Sequence, residues 1–200
     1  MLHGVWKLAS ASVMVFVAQL PPGRAARAPL SAEYRVANDS SQFDFMIGQW
    51  QLDVVPKVSG LAAAMHGVPK LTGTWKAWRA AGEAGIHDEL RIVDGSGNPS
   101  SIIASRRTYD PKLHKWIANS TDRARSRTAT ATGEWLKNEI VLVGKVTDSQ
   151  GDTYLTRSRF YDITPSGFRY QQDRSDDNGR TWDEGRLKIS ARRVSTQSQR

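Results

Sequence analysis

The amino-acid sequence predicts an all-β fold of antiparallel strands, a sandwich or a barrel. Three observations carry this. Turn-forming stretches recur along the chain: DGSGNP (94–99), YDPKLHKW (109–116), TGEWLKN (132–138), DSQGD (148–152), DITPSG (162–167) and DDNG (176–179). The runs between them are rich in Val, Ile, Thr, Tyr, Phe and Trp, residues that suit a pleated, half-buried surface. The spacing leaves no room for the long crossovers that parallel strands need.

The chain opens differently. MLHGVWK carries one Lys and no acid, LASASVMVFVAQL (8–20) is free of charge, and PPGRAARAPLSA supplies small residues. This is the order of a secretory signal, assigned to residues 1–28 with Ala26 and Ala28 at the cleavage positions and Ala25 or Ala32 as alternative ends. The apolar run falls short of the ~20 residues that a membrane-spanning helix needs. No second run of that length follows, so an exported chain, periplasmic or secreted, without an integral membrane span is expected. Residues 29–41 read as a flexible segment, 42–193 as the folded domain and 194–200 as a disordered tail.

Strands are expected near 48–55, 71–80, 85–93, 101–109, 114–121, 125–134, 139–147, 152–162, 167–174 and 181–190. One helix is expected in VSGLAAAMHGV (58–68), where three alanines and a Met favour it and Gly60 and Gly67 confine it to about two turns.

Composition removes several classes of function. None of the 200 residues is Cys, so disulfides, thiolate catalysis, Cys-ligated metals and a lipoprotein anchor are excluded. The net charge of +8 falls to +5 without the first 28 residues, which hold Lys7, Arg24 and Arg27 and no acid. That excess favours anionic partners weakly. It is not gathered with aromatics into a block suited to nucleic acid.

Two motifs bear on architecture. FDFMIGQW (43–50) contains Gly48-x-Trp50 at the start of the first strand and resembles the G-x-W signature of lipocalin-type barrels. The resemblance implies an up-and-down barrel of about 8–10 strands. Its Trp plugs the closed end under a cation from the last strand, with Arg186, Lys188 or Arg192 as the candidates. SDDNGRTW (175–182) resembles the Asp-box hairpin of sialidases, present here once. Asp177 would bind N–H groups across the turn, Gly179 would supply the positive φ, and Trp182 would pack over the hairpin. With YDPKLHKW, these stretches resemble a bacterial family of small exported proteins with a lipocalin-like barrel. That likeness implies a fold, not an activity.

Candidate chemistry is sparse. No HxH, HExxH, GxSxG, P-loop or dinucleotide fingerprint occurs, so neither metal nor cofactor is expected. In GIHDELRI, His87 shares a strand face with Glu89, while Asp88 goes with Leu90. Arg123, Arg125 and Arg127 would lie on one face if TDRARSRT is a strand, and Arg157 and Arg159 share a face in TYLTRSRFYD. Guanidinium groups turned into a barrel would suit a carboxylate or phosphate. A binding module is therefore expected, holding a small molecule, anionic or apolar, with Arg125, Arg157, Trp116, Tyr170 and His87 as ligand contacts. The alternatives are an enzyme of the same barrel using a His with a carboxylate, and a structural or interaction protein of the cell envelope.

Overall fold

The computed structural model describes residues 40–79, 82 and 84–195. The assigned signal, most of the flexible segment and the end of the tail lie outside the described residues. Ten strands follow one another: β1 (Gly48–Pro56), β2 (Leu71–Arg79), β3 (Gly85–Val93), β4 (Pro99–Asp110), β5 (Lys115–Asp122), β6 (Arg127–Leu136), β7 (Glu139–Thr147), β8 (Thr153–Thr164), β9 (Gly167–Ser175) and β10 (Asp183–Arg193). Each pairs antiparallel with its neighbours in sequence. β1 pairs with β10, which closes an up-and-down barrel. Closure removes the exposed edges that would otherwise recruit other strands.

The turns follow the chemistry of their residues. Asp94, Asp110 and Asp148 each accept backbone N–H groups from the residues that follow, Ser96 and Asn98, Lys112 and Leu113, and Gln150 and Asp152. The short carboxylate thus replaces the strand partners that the chain loses on reversing. Between β1 and β2 the helix α1 (Gly60–His66) is capped by Ser59, whose hydroxyl accepts the Ala62 N–H, and buries none of its residues. It is a surface excursion. No described helix is long and apolar enough to cross a membrane.

Period-two alternation sends Trp50, Leu52 and Val54 of β1 inward, and the same holds round the barrel. One end is filled solid. A 3-10 turn (Asp44–Met46) ahead of β1 carries Phe43, Phe45 and Met46 into the barrel, where they meet Trp50, Trp116, Phe160 and Phe168. Edge-to-face contacts hold these rings, with centroids 4.7 Å apart for Phe43–Trp116 and 4.9 Å for Trp50–Phe168. The indole N–H groups of Trp50 and Trp116 donate to the Met46 carbonyl and the Gln42 side chain.

The cation over Trp50 is Arg193, with its guanidinium carbon 4.1 Å from the ring. This corrects the expectation of Arg186, Lys188 or Arg192. The β1–β10 register sets Arg193 opposite Trp50. Arg192 points outward to Asp53, and Arg186 stands at the other end of the barrel. Arg193 also donates to the carbonyls of Ile47, Phe45 and Pro165. A Cβ at residue 48 would lie 2.6 Å from its Nη1, and Gly48 holds φ at 124°. The motif is therefore a backbone constraint: only glycine fits beneath the arginine that seals the plug.

Candidate functional site

Beyond the aromatic plug the barrel is hollow. An inner chamber of about 100 Å³ opens toward a mouth recess of about 220 Å³, and the two share Thr156 and Gln172 as walls. Together they reach the lower end of the ~300–1,000 Å³ typical of small-molecule sites. The hollow has a cause in the sequence. Inward positions of β4, β5 and β6 carry Ser105, Ala118, Ser120, Ala129 and Ala131, too small to meet the Trp75, Phe160 and Tyr170 side chains of β2, β8 and β9.

Across the chamber wall lies a buried ion pair. Asp88 of β3 accepts from Arg107 Nε at 2.7 Å and Nη2 at 3.3 Å, and from the Trp75 indole at 2.8 Å. The carboxylate is fully buried and the guanidinium nearly so. Arg107 also lies 5.2 Å and 5.4 Å from the Phe43 and Phe160 ring centres. Both charges are thus compensated, as burial demands. Beside them the Tyr170 hydroxyl bonds Ser158 at 2.9 Å and accepts from Gln172 at 3.1 Å. Burial pushes its pKa up and keeps the phenol neutral.

The mouth is basic. Lys57, Arg125, Arg127, Arg174 and Arg186 line it. Arg127 donates to Asp122 and the Tyr154 hydroxyl, while its buried Nε has no hydrogen-bond partner among the described residues. Arg174 pairs with Asp176 and stacks on the Tyr154 ring at 3.9 Å. Lys57 and Arg186 share Asp183. Among the described residues Arg125 bonds only the neutral oxygens of Ser100, at 2.8 and 2.9 Å. Desolvation and the adjacent Arg127 lower its pKa. Five cations thus meet around a recess whose charge the neighbouring carboxylates do not fully match.

The sequence-derived site residues fall in different places. Arg125 lines the mouth and Tyr170 the chamber. Trp116 is fully buried in the plug. Arg157 lies on the outer face, against Asp173, Glu184 and the Trp182 ring. The inward neighbours on β8 are Thr156, Ser158 and Phe160. His87 is half-buried on the outer face beside the Trp78 ring. His66 and His114 are exposed, so none of the three described histidines lines the cavity. The Arg123–Arg125–Arg127 row is corrected: residues 123–126 form the β5–β6 turn, so no strand face carries it. The turn nonetheless delivers Arg125 and Arg127 to one recess.

The Asp-box stretch is a turn, as its residue pattern implies. Asp177 accepts from the Ser175 hydroxyl and from the N–H and hydroxyl of Thr181. These donors hold its pKa at about 2. Gly179 supplies φ 86°. Beneath the turn lies Asp173, fully buried. Burial opposes its ionisation, but the Gly185 N–H, the Gln171 amide and Arg157 outweigh it, and the pKa is lowered.

Asp88, Arg107, Ser105 and Arg174 were not among the site residues expected from the sequence. The signal for the first two was an acid and a base at inward positions of adjacent strands, Asp88 between Ile86 and Leu90, Arg107 between Ser105 and Tyr109. Among the described residues no group of three His, Asp or Glu could hold a metal ion. No protein-family model matches the chain, and no curated protein matches its sequence.

Proposed function

We propose that this chain is an exported lipocalin-like barrel that binds a small amphipathic anion. One observation carries the reading: five cationic side chains surround the entrance to a hollow whose walls are apolar and hydroxyl-bearing. A carboxylate or phosphate at the mouth gains charge-assisted hydrogen bonds. The apolar body of the same molecule fills the chamber and gains by leaving water. The N-terminal pattern of basic, apolar and small-residue stretches supports export, and the G-x-W stretch supports the lipocalin-like kinship. Arg157 and His87 stay on the barrel exterior under this reading, and Trp116 contributes to the floor.

Native mass spectrometry of protein purified from its own cell envelope tests the reading. The expected spectrum shows a retained small acid, released in the Arg125→Glu/Arg127→Glu variant. An apo mass under gentle conditions, together with no heat on titrating short carboxylates and phosphates, would overturn it. Amino-terminal sequencing of the same material checks export, which predicts loss of roughly the first 28 residues, a length within the range of secretory signals.

A further inference from the structure

We infer that the chamber is shaped for one flat ring bearing a polar substituent on its inner edge, so that the ligand is a hydroxylated aryl acid. This rests on the anion-binding reading and adds the identity of the ligand's body.

The walls differ in kind. Trp75, Phe160 and Tyr170 cluster on one side, with centroids 5.0–5.8 Å apart. Ala118, Ala129 and Ala131 stand on β5 and β6. In the closed ring of ten strands β5 lies halfway round from β10, which stands between the strands of the aromatic group. An aromatic wall opposite a wall of methyl groups leaves a slot. A cavity of about 150 Å³ accepts benzene, so a chamber of about 100 Å³ suits a single ring with little yielding of its walls. A long acyl chain has nowhere to go, because Phe43, Trp116 and Phe160 fill the floor completely.

The slot is not wholly apolar. Ser105 is 8% exposed and sits cross-strand from Ser120, and both line the chamber. Their register places the two hydroxyls side by side on neighbouring strands. Arg107, equally buried, engages Asp88 through Nε and Nη2. Both hydroxyls face the chamber, Ser105 buried and Ser120 half-buried, so a phenolic or keto oxygen entering the slot would meet this pair and exchange hydrogen bonds with it.

The test is calorimetric titration of the full chain with three acids: 3-(4-hydroxyphenyl)propanoate, 3-phenylpropanoate and hexanoate. The expected order is hydroxyphenyl, then phenyl, then alkyl. The hydroxyl should be worth about five-fold, the equivalent of one net neutral hydrogen bond of ~1 kcal/mol. Ser105→Ala should erase that five-fold preference between the two aryl acids. Ala131→Leu should abolish binding of both aryl acids. Hexanoate binding as tightly as the aryl acids would overturn the ring inference and leave the anion reading standing. A preference for hydroxyl that survives Ser105→Ala would overturn the placement of the polar edge. If none of the three binds, the aryl-acid inference falls, and native mass spectrometry with phosphate titration decides the anion reading.

Discussion

The two ends of this barrel are built from the same strands and the same alternation, yet one is solid and the other hollow. At the closed end the inward residues are Phe43, Trp50, Trp116 and Phe168, all at or below 2% exposure. Toward the mouth the inward residues of β4–β6 shrink to Ser and Ala, and arginines replace rings at the rim. Side-chain volume at inward positions, not strand pairing, therefore decides where the protein is stable and where it is available. The closed end should respond to mutation as a packed core does. The mouth should respond mainly in binding.

The largest effect expected is at the plug. Trp50→Ala removes a fully buried indole, its bond to Met46 and the platform under Arg193. A loss of about 4–5 kcal/mol is expected from the scale of such truncations, read as a lowered urea midpoint with the slope unchanged. A loss below about 1 kcal/mol would mean that the plug does not organise the barrel.

The second effect sits between the two ends. Asp88→Ala leaves Arg107 buried without its carboxylate, and a loss of about 3 kcal/mol is expected. The double variant Asp88→Leu/Arg107→Met should recover most of it, because an apolar pair of similar volume needs no compensation there. If the double variant is no more stable than Asp88→Ala, the cost lies in packing against Phe43 and Phe160 and not in the orphaned charge. At the mouth, Arg127→Gln takes a guanidinium from the buried Asp122 carboxylate, which still accepts the Ile102 and Ala124 N–H groups, so a smaller loss of about 1–2 kcal/mol is expected.

The contrast between the ends was only partly legible in the sequence. Strand order and the turns that carry Asp, Gly or Pro were, because these residues mark reversals by local chemistry. The plug was legible through Gly48-x-Trp50, because a φ of 124° selects glycine whatever packs above it. The stacking cation was not: Arg186, Lys188 and Arg192 were the candidates, and the choice depends on strand register, which the β10 bulge between Asp183 and Leu187 shifts. The Arg row failed for a related reason. Period two was carried across residues 123–126, where the chain turns. Asp88 and Arg107 were legible as inward charges but not as a pair, since pairing requires the β3–β4 register that brings them within 2.7 Å. The mouth is the least legible region, because its five cations come from loops and strand ends far apart in the chain.

The smallest effect expected is confined to acid and belongs to the Asp-box turn at the open end. Asp177 has a pKa of about 2, below its ordinary value, because the Thr181 N–H, the Thr181 hydroxyl and the Ser175 hydroxyl all bind its charged form. An unfolded aspartate titrates near ~3.9. A folded-state pKa below the unfolded one means that the folded protein resists protonation there, so the contribution is complete above about pH 4 and is lost as pH falls through about 2. Asp177→Asn removes that contribution at neutral pH. The melting temperatures of variant and parent should therefore differ at pH 7, approach each other below pH 4 and meet near pH 2. Parallel curves over that range would show that the turn is held by Gly179 and Trp182 and that the carboxylate is a bystander. Ligand binding at the mouth should be unaffected in either case, because Asp177 is not among the residues lining the recess.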